Sequence, residues 1–273
     1  MAKNKKKVTT TVTTIVTEEI ISVPTNEKTH IICVLDRSGS MSNIINDSIG
    51  GFNEFLKQQK ALPDKATITV VLFDDKYDLL YDNVDIKNAE ELTNKVWCPR
   101  GTTALYDAIG KTINNEKANF ARLGKEKPAK VLVCVVTDGY ENASKEYKRE
   151  DIQKLIKNCE KDDWNFLYLA ANQDAFAVGA GFGISYGNTI TYTASSAGVA
   201  GMSMVLNNAT SYYRSMSSTN DDFEKLSKKL INNPDDDKKD APEDNLGGSI
   251  TTNNTTGNVT FSNSNTTVDI DKK

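Results

Sequence analysis

His30-Ile-Ile-Cys-Val-Leu-Asp36, running straight into Arg37-Ser38-Gly39-Ser40, is the stretch on which the fold turns. The run from 30 to 35 does not alternate apolar with polar residues. A strand that meets water on one face would alternate, so this one is expected to be buried on both faces, at the centre of a mostly parallel sheet. It ends in a carboxylate followed by small polar residues and a glycine. That is a loop opening at the carboxyl edge of a central strand.

Outward from this strand the chain alternates between two periods. Residues 43–60 place Ile44, Ile45, Ile49, Phe52, Phe55 and Leu56 at helical spacing, and Pro63 follows as a stop. ATITVVLFD (66–74) is β-branched and apolar, and YDLLYDNVDI (77–86) follows a tight Asp-Asp-Lys turn as its hairpin partner. A helix is expected from about 104 to 121, a buried strand over 130–138 (KVLVCVVTD), a helix over 145–159, a strand over 164–171 (WNFLYLAA) and a last helix over 196–216. Gly179-Ala-Gly-Phe-Gly183 is taken as the loop between the last strand and the last helix. Such alternation predicts an α/β fold: a doubly wound, mostly parallel sheet with one antiparallel edge strand and helices on both faces.

The ends differ from the middle. Residues 1–28 form a Lys/Thr-rich arm or extra strand, with four lysines in 3–7 and a Thr/Val/Ile alternation after them. Residues 217–273 read as a charged linker and a low-complexity Asn/Thr-rich tail, expected to be disordered or ordered on a partner. The 273 residues carry 33 Lys and Arg against 37 Asp and Glu, a net charge of −4, all of it located in 221–273. The absence of a basic excess argues against nucleic acid as a partner. No apolar run reaches the ~18–20 residues of a membrane span, and the lysine-rich start lacks the apolar core of a signal peptide. Four scattered cysteines without a CxxC, Cys33 and Cys134 among them inside apolar runs, fit a reducing, cytoplasmic setting. A single histidine, His30 inside the strand, leaves no basis for Ser-His-Asp or Cys-His catalysis, or for a structural zinc site.

The chemistry lies just past the strand ends. Asp36, Ser38 and Ser40 follow the first strand, Arg100-Gly101-Thr102-Thr103 precedes the second helix, and Thr137-Asp138-Gly139 closes the 130–138 strand. In a doubly wound sheet these loops open at the same edge. They supply carboxylates and hydroxyls and no nitrogen or sulfur, a donor set for a hard divalent ion, Mg²⁺ before Mn²⁺ or Ca²⁺. Asp-x-Ser-x-Ser sets alternate side chains on one side of an extended segment. An ion held by one direct carboxylate and neutral hydroxyls stays under-neutralised, and favours a carboxylate from outside in its open position.

This set resembles the metal-ion-dependent adhesion site of the von Willebrand factor A domain family, and the resemblance covers about residues 29–216. It implies a Rossmann-like fold of the kind read above. It also implies a metal site in which Asp36, Ser38 and Ser40 are first-loop ligands, Thr103 is the second-loop ligand and Asp138 the third-loop carboxylate. Thr103 is preferred to Thr102 because Thr103-Ala-Leu-Tyr-Asp-Ala-Ile matches the family spacing. VLDRSGSM, GTTALYDAI and TDGYENAS are similar to the stand-alone intracellular members of bacteria and phages.

The expectation is therefore a metal-dependent protein-interaction module that binds a partner's acidic side chain, with no catalytic activity and neither membrane nor nucleic acid as partner. The alternatives are a structural component of a large assembly such as a phage particle, which would place the protein in a virion, and an adaptor for an AAA+ ATPase. An aspartate-nucleophile phosphatase is disfavoured, because residue 38 is serine where such enzymes carry the general acid. Asp74 and Asp75 read as a hairpin turn.

Overall fold

The computed structural model describes residues 27–171, 175–215, 249–252 and 259–262. Six strands form one sheet: β1 (Thr29–Asp36), β2 (Ala66–Phe73), β3 (Tyr77–Asp85), β4 (Lys130–Thr137), β5 (Trp164–Ala171) and β6 (Thr189–Tyr192). Their spatial order is β3-β2-β1-β4-β5-β6. Every pairing is parallel except β2 with β3, the antiparallel edge expected from the Asp-Asp-Lys turn. The chain winds outward from β1 to one edge, returns to β4 and winds to the other. The switch of direction therefore falls between β1 and β4.

Among the described residues the α-helices are α1 (Ile45–Ala61), α2 (Leu105–Leu123), α3 (Arg149–Glu160), α4 (Ala175–Phe182) and α5 (Ser196–Ser215). Two cores result, one per sheet face. Ile31, Cys33 and Leu35 of β1 point toward α1 and α5, where Phe52, Phe55, Leu56, Met202 and Leu206 are buried. Ile32 and Val34 point the other way, onto Leu105, Ile109, Ile113, Ile152 and Ile156 of α2 and α3. Successive side chains of a strand face opposite sides, so the unbroken apolar run of β1 feeds both cores at once. Trp97 and Trp164 are buried packing residues, as are Cys33 and Cys134.

The expected loop at 179–183 is a correction. Gly179–Phe182 belong to α4, and β6 follows it, neither of which the hydrophobic pattern announced. Glycine disfavours helix, but here it permits close packing. A Cβ at Gly179 would stand 2.7 Å from Thr189 Oγ1, and Gly181 lies against the Arg149 guanidinium. Gly183, at φ +85°, then turns the chain out of the helix. The third helix also starts later than its pattern suggests, at Arg149. Tyr147 is not on it; its ring packs on Gly110 of α2.

Most of the N-terminal arm and of the tail after Ser215 lies outside the described residues. Within the tail, β7 (Ser249–Thr252) and β8 (Val259–Ser262) pair as an antiparallel two-stranded sheet. Among the described residues no helix is long and apolar enough to cross a membrane.

Candidate metal centre

Three loops meet at the carboxyl ends of β1 and β4, at the switch point where open α/β sheets hold their ligands. Asp36 is the last residue of β1 and is fully buried. Its Oδ1 accepts from the Ser38 backbone N–H at 2.6 Å, and its Oδ2 accepts from Thr137 Oγ1 at 2.6 Å. Its own carbonyl accepts from Trp97 Nε1 at 2.9 Å. Ser38 Oγ lies 3.0 Å from Ser40 Oγ, and the Ser40 hydroxyl donates to Asp138 Oδ1 at 2.6 Å. Thr103 enters through Gly139. A Cβ built there would stand 3.1 Å from Thr103 Oγ1, 3.3 Å from Ser40 Oγ and 3.7 Å from Ser38 Oγ. Thr103 is buried, and Thr102 is exposed. All five residues singled out from the sequence thus gather at one rim.

The loops hold one another in register. Arg37 N–H donates to the Phe73 carbonyl, Arg100 N–H to the Arg37 carbonyl and Gly39 N–H to the Gly101 carbonyl. Thr103 is gripped at both ends of its backbone by the third loop. Its N–H donates to Asn142 Oδ1 at 2.9 Å, and its carbonyl accepts from the Asn142 and Ala143 N–H groups. Glu141 accepts from the Tyr106 N–H at the start of α2 and from the Ala143 and Ser144 N–H groups. Asp107 accepts from the N–H groups of Lys145, Glu146 and Tyr147. Those donors delay the start of α3, because residues 145–147 are held in a loop against α2.

Beside the first loop stands an ion-pair quartet. Asp74 is fully buried, and its Oδ2 accepts from Arg37 Nε at 3.1 Å and Arg100 Nε at 2.6 Å. Both guanidinium groups also reach Asp78. The Asp74 carbonyl accepts from Ala104 N–H, so this residue joins β2 to the entry of α2. Asp74 occupies the hairpin turn as expected, but its side chain reaches back and fastens two of the site's loops.

Electrostatically the rim is short of positive charge. Burial pushes the Asp36 carboxyl up to about 6, against the hydrogen bonds from Thr137 and Ser38, and the neighbouring Asp138 adds to the rise. Burial also raises Asp138, against the Ser40 hydroxyl. The nearest arginines are committed to Asp74 and Asp78. A cation among these groups would offset both carboxylates, and the hydroxyls of Thr103, Ser40 and Ser38 all lie within 4 Å of where a Gly139 Cβ would stand. The donor set fits a hard divalent ion. Among the described residues no group of three His, Cys, Asp or Glu side chains is placed to hold a metal ion, and this rim brings two carboxylates together with hydroxyls.

The family model for the von Willebrand factor type A domain matches residues 30–183, more than half of the chain. The chain belongs to the von Willebrand factor type A domain family. Two solved structures share the fold of this domain. The pilus adhesin SpaC from Lactobacillus rhamnosus GG, in an open conformation, aligns with a TM-score of 0.51 at 13% identity, over 70% of this chain and 30% of that one. The PilB minor pilin from Streptococcus sanguinis aligns at 0.50 and 9% identity, over 70% and 63%. Proximal thread matrix protein 1 from the mussel byssus, with a zinc-occupied MIDAS motif, aligns at 0.49 and 17% identity. The chain spans 46% of the length of that matrix protein. No curated protein sequence matches it.

His30, the one histidine, takes no part at this rim. It is buried, with Nδ1 2.8 Å from Thr67 Oγ1 and Nε2 3.4 Å from Glu116 Oε1. The sequence pattern assigns no role of their own to Thr137 or to Tyr192, whose hydroxyl donates to the Thr137 carbonyl at 3.3 Å. Thr137 was the one within reach, since it sits inside the quoted motif and immediately precedes Asp138.

Proposed function

We propose that this von Willebrand factor A domain is a metal-dependent protein-interaction module. Asp36, Ser38, Ser40 and Thr103 hold Mg²⁺, with Asp138 binding it directly or through water. When bound, the ion supplies a positive centre with an open position that an acidic side chain of a partner protein fills. The chain's own residues do the rest. Thr137 and the Ser38 N–H orient the Asp36 carboxylate, Ser40 holds Asp138, and the Asn142 loop keeps Thr103 facing the other two hydroxyls.

One observation carries this reading: the hydroxyls of Ser38, Ser40 and Thr103 converge on the position a Gly139 Cβ would take, with Asp36 bonded to the Ser38 N–H and Asp138 to the Ser40 hydroxyl. We read the set as a receptor for an ion and a partner carboxylate. The test is a calorimetric titration with Mg²⁺ and Mn²⁺ of the native chain and of Asp36→Ala. Saturable binding of one ion by the native chain and none by the variant is expected. Equal binding by both would move the ion elsewhere.

A further inference from the structure

Between the sheet and α2 lies a buried pair that takes no part at the metal rim. His30 of β1 and Glu116 of α2 are both buried, and Nε2 of the ring stands 3.4 Å from Glu116 Oε1. Nδ1 lies 2.8 Å from Thr67 Oγ1, and Nε2 also lies 3.2 Å from Thr69 Oγ1. Phe120 meets the ring edge-on, with centroids 5.3 Å apart, and itself packs on Trp164. An Nε2 without a proton would turn its lone pair on the carboxylate, so Nε2 carries one. Nδ1 is free to carry a second, because the Thr67 hydroxyl can accept from it or donate to it. These neighbours therefore hydrogen-bond the ring in both its neutral and its cationic form.

Glu116 depends on that second proton. Among the described residues its Oε2 has no hydrogen-bond partner. Burial raises its carboxyl, but the hydrogen bond and the charge of His30 outweigh burial and hold it below the usual carboxylate range. The other charged and titratable groups around the pair are engaged elsewhere. On α2, Lys117 pairs with Asp162 and Arg122 donates to Asn119. On β3, Asp82 accepts from Asn119, and the Tyr77 hydroxyl lies 3.2 Å from Thr112 Oγ1. Burial pushes the Tyr77 phenol up, with smaller additions from Glu116 and Asp82. Lys130 of β4 donates to the carbonyls of Tyr213 and Arg214 on α5. Glu27 and Lys65, ahead of β1 and β2, are exposed. Among the described residues His30 is the cation that this carboxylate faces.

We propose that His30 and Glu116 form a proton-operated latch between the sheet and α2. With both ring nitrogens protonated, the pair fastens the helix. As the pH rises, the Nδ1 proton leaves to solvent and the Thr67 hydroxyl turns to donate to the bare nitrogen. Glu116 is then a buried carboxylate without a counter-charge, which is costly. The latch holds in a window. Glu116 contributes above the range where it ionises in the unfolded chain, about 4.3, and that contribution is lost as the pH falls through the lower folded value. His30 sets the upper limit, and histidine is the side chain that changes charge between about pH 5 and 8. α2 starts at Leu105, just past Thr103, so the helix that the latch fastens is the one leaving the second loop of the rim. The latch itself does not require an ion at that rim.

Because the chain has one histidine, ring-¹⁵N labelling gives a single pair of signals. The native chain in EDTA is titrated by NMR between about pH 5 and 9 alongside Glu116→Gln. Hydrogen exchange of the α2 amides, corrected for its intrinsic pH dependence, is read against that of the α5 amides at each pH. Expected is a ring protonated on both nitrogens at the acid end and on Nε2 alone at the alkaline end. Above that step the native α2 amides should exchange about tenfold or more faster, relative to α5, than below it. Glu116→Gln should hold the ring proton about tenfold less tightly, which moves its step about one pH unit lower, and its α2 exchange should show no step. A neutral ring at the acid end, an alkaline form protonated on Nδ1, or α2 exchange that ignores the step would each overturn the proposal. All three are read on the native chain alone, whether or not the variant folds. A variant whose ring titrates together with the native one would overturn it too.

Discussion

Replacing Gly139 by alanine separates metal binding from stability. Gly139 does not lie in the left-handed region, so its backbone accepts an L-residue. A Gly→Ala change at a compatible position stabilises a protein by about 0.4–1 kcal/mol, through the unfolded chain. Against this, the new methyl would sit 3.1 Å from Thr103 Oγ1 and 3.3 Å from Ser40 Oγ, so both hydroxyls must retreat by a few tenths of an ångström. The two effects oppose, and the expected stability change is within about 1 kcal/mol. For the proposed ion the consequence is one-sided. The methyl would stand among three of its proposed oxygen donors, and a hydroxyl that retreats would not coordinate. Loss of two ligands should weaken binding by about 100-fold or more, equivalent to about 2.7 kcal/mol. The assay is thermal unfolding with and without Mg²⁺. At about 100 times its dissociation constant a ligand adds about 2.7 kcal/mol to the folded state, which for a domain of this size raises Tm by roughly 5–10 °C. The native chain should show that rise and Gly139→Ala should show none, with both melting alike in EDTA. A variant that keeps the Mg²⁺-dependent rise would refute the argument, because the ion would then lie outside the space beside Gly139.

Three further outcomes follow from buried ion pairs and hydrogen bonds of the domain. Asp74→Asn leaves Arg37 buried without its carboxylate, and breaking a buried pair by removing one partner costs about 3–5 kcal/mol. Urea unfolding of the apo protein should show a loss of that order, and a loss below about 1 kcal/mol would mean that Asp78 suffices for both arginines. Burial would raise the Asp107 carboxyl, but the N–H groups of Lys145, Tyr147 and Glu146 outweigh it, and with Lys111 they hold it below the usual carboxylate range. Its contribution is therefore present above the unfolded value of about 3.9 and is lost as pH falls through the lower folded value. Asp107→Asn should flatten that acid limb of stability, and an unchanged limb would remove the role. Arg214 is fully buried at the end of α5, and donates to Asp64 Oδ2 at 2.7 Å and to the carbonyls of Gln59 and Asp64. Arg214→Leu should cost about 3 kcal/mol by leaving Asp64 unpaired, and hydrogen exchange should show fraying of the last turns of α5; a variant as stable as the native chain would contradict this.

The parts legible in the sequence are those governed by local pattern. The unbroken apolar run Ile31–Leu35 reads as a central strand, and all eight residues of β1 around it are buried. The Asp-Asp-Lys turn between apolar stretches placed the antiparallel edge, and three polar loops after strand ends foretold a common rim. The parts that stayed hidden depend on contacts distant in sequence. Glycines 179 and 181 argue against a helix until Thr189 and Arg149 are seen filling the space that side chains would need. Thr189–Tyr192 is too short to stand out in a Thr-rich stretch. Tyr147 has helical spacing with Ile152 and Leu155, yet Asp107, about forty residues earlier, takes its N–H. The fastening role of Asp74 required knowing that Arg37 and Arg100, on different loops, converge on one carboxylate oxygen.

The most direct measurement is an anomalous difference map from crystals of the native chain grown with Mn²⁺. The account predicts a peak bounded by the oxygens of Asp36, Ser38, Ser40, Thr103 and Asp138, beside Gly139. No peak there, or one held by other side chains, would contradict it.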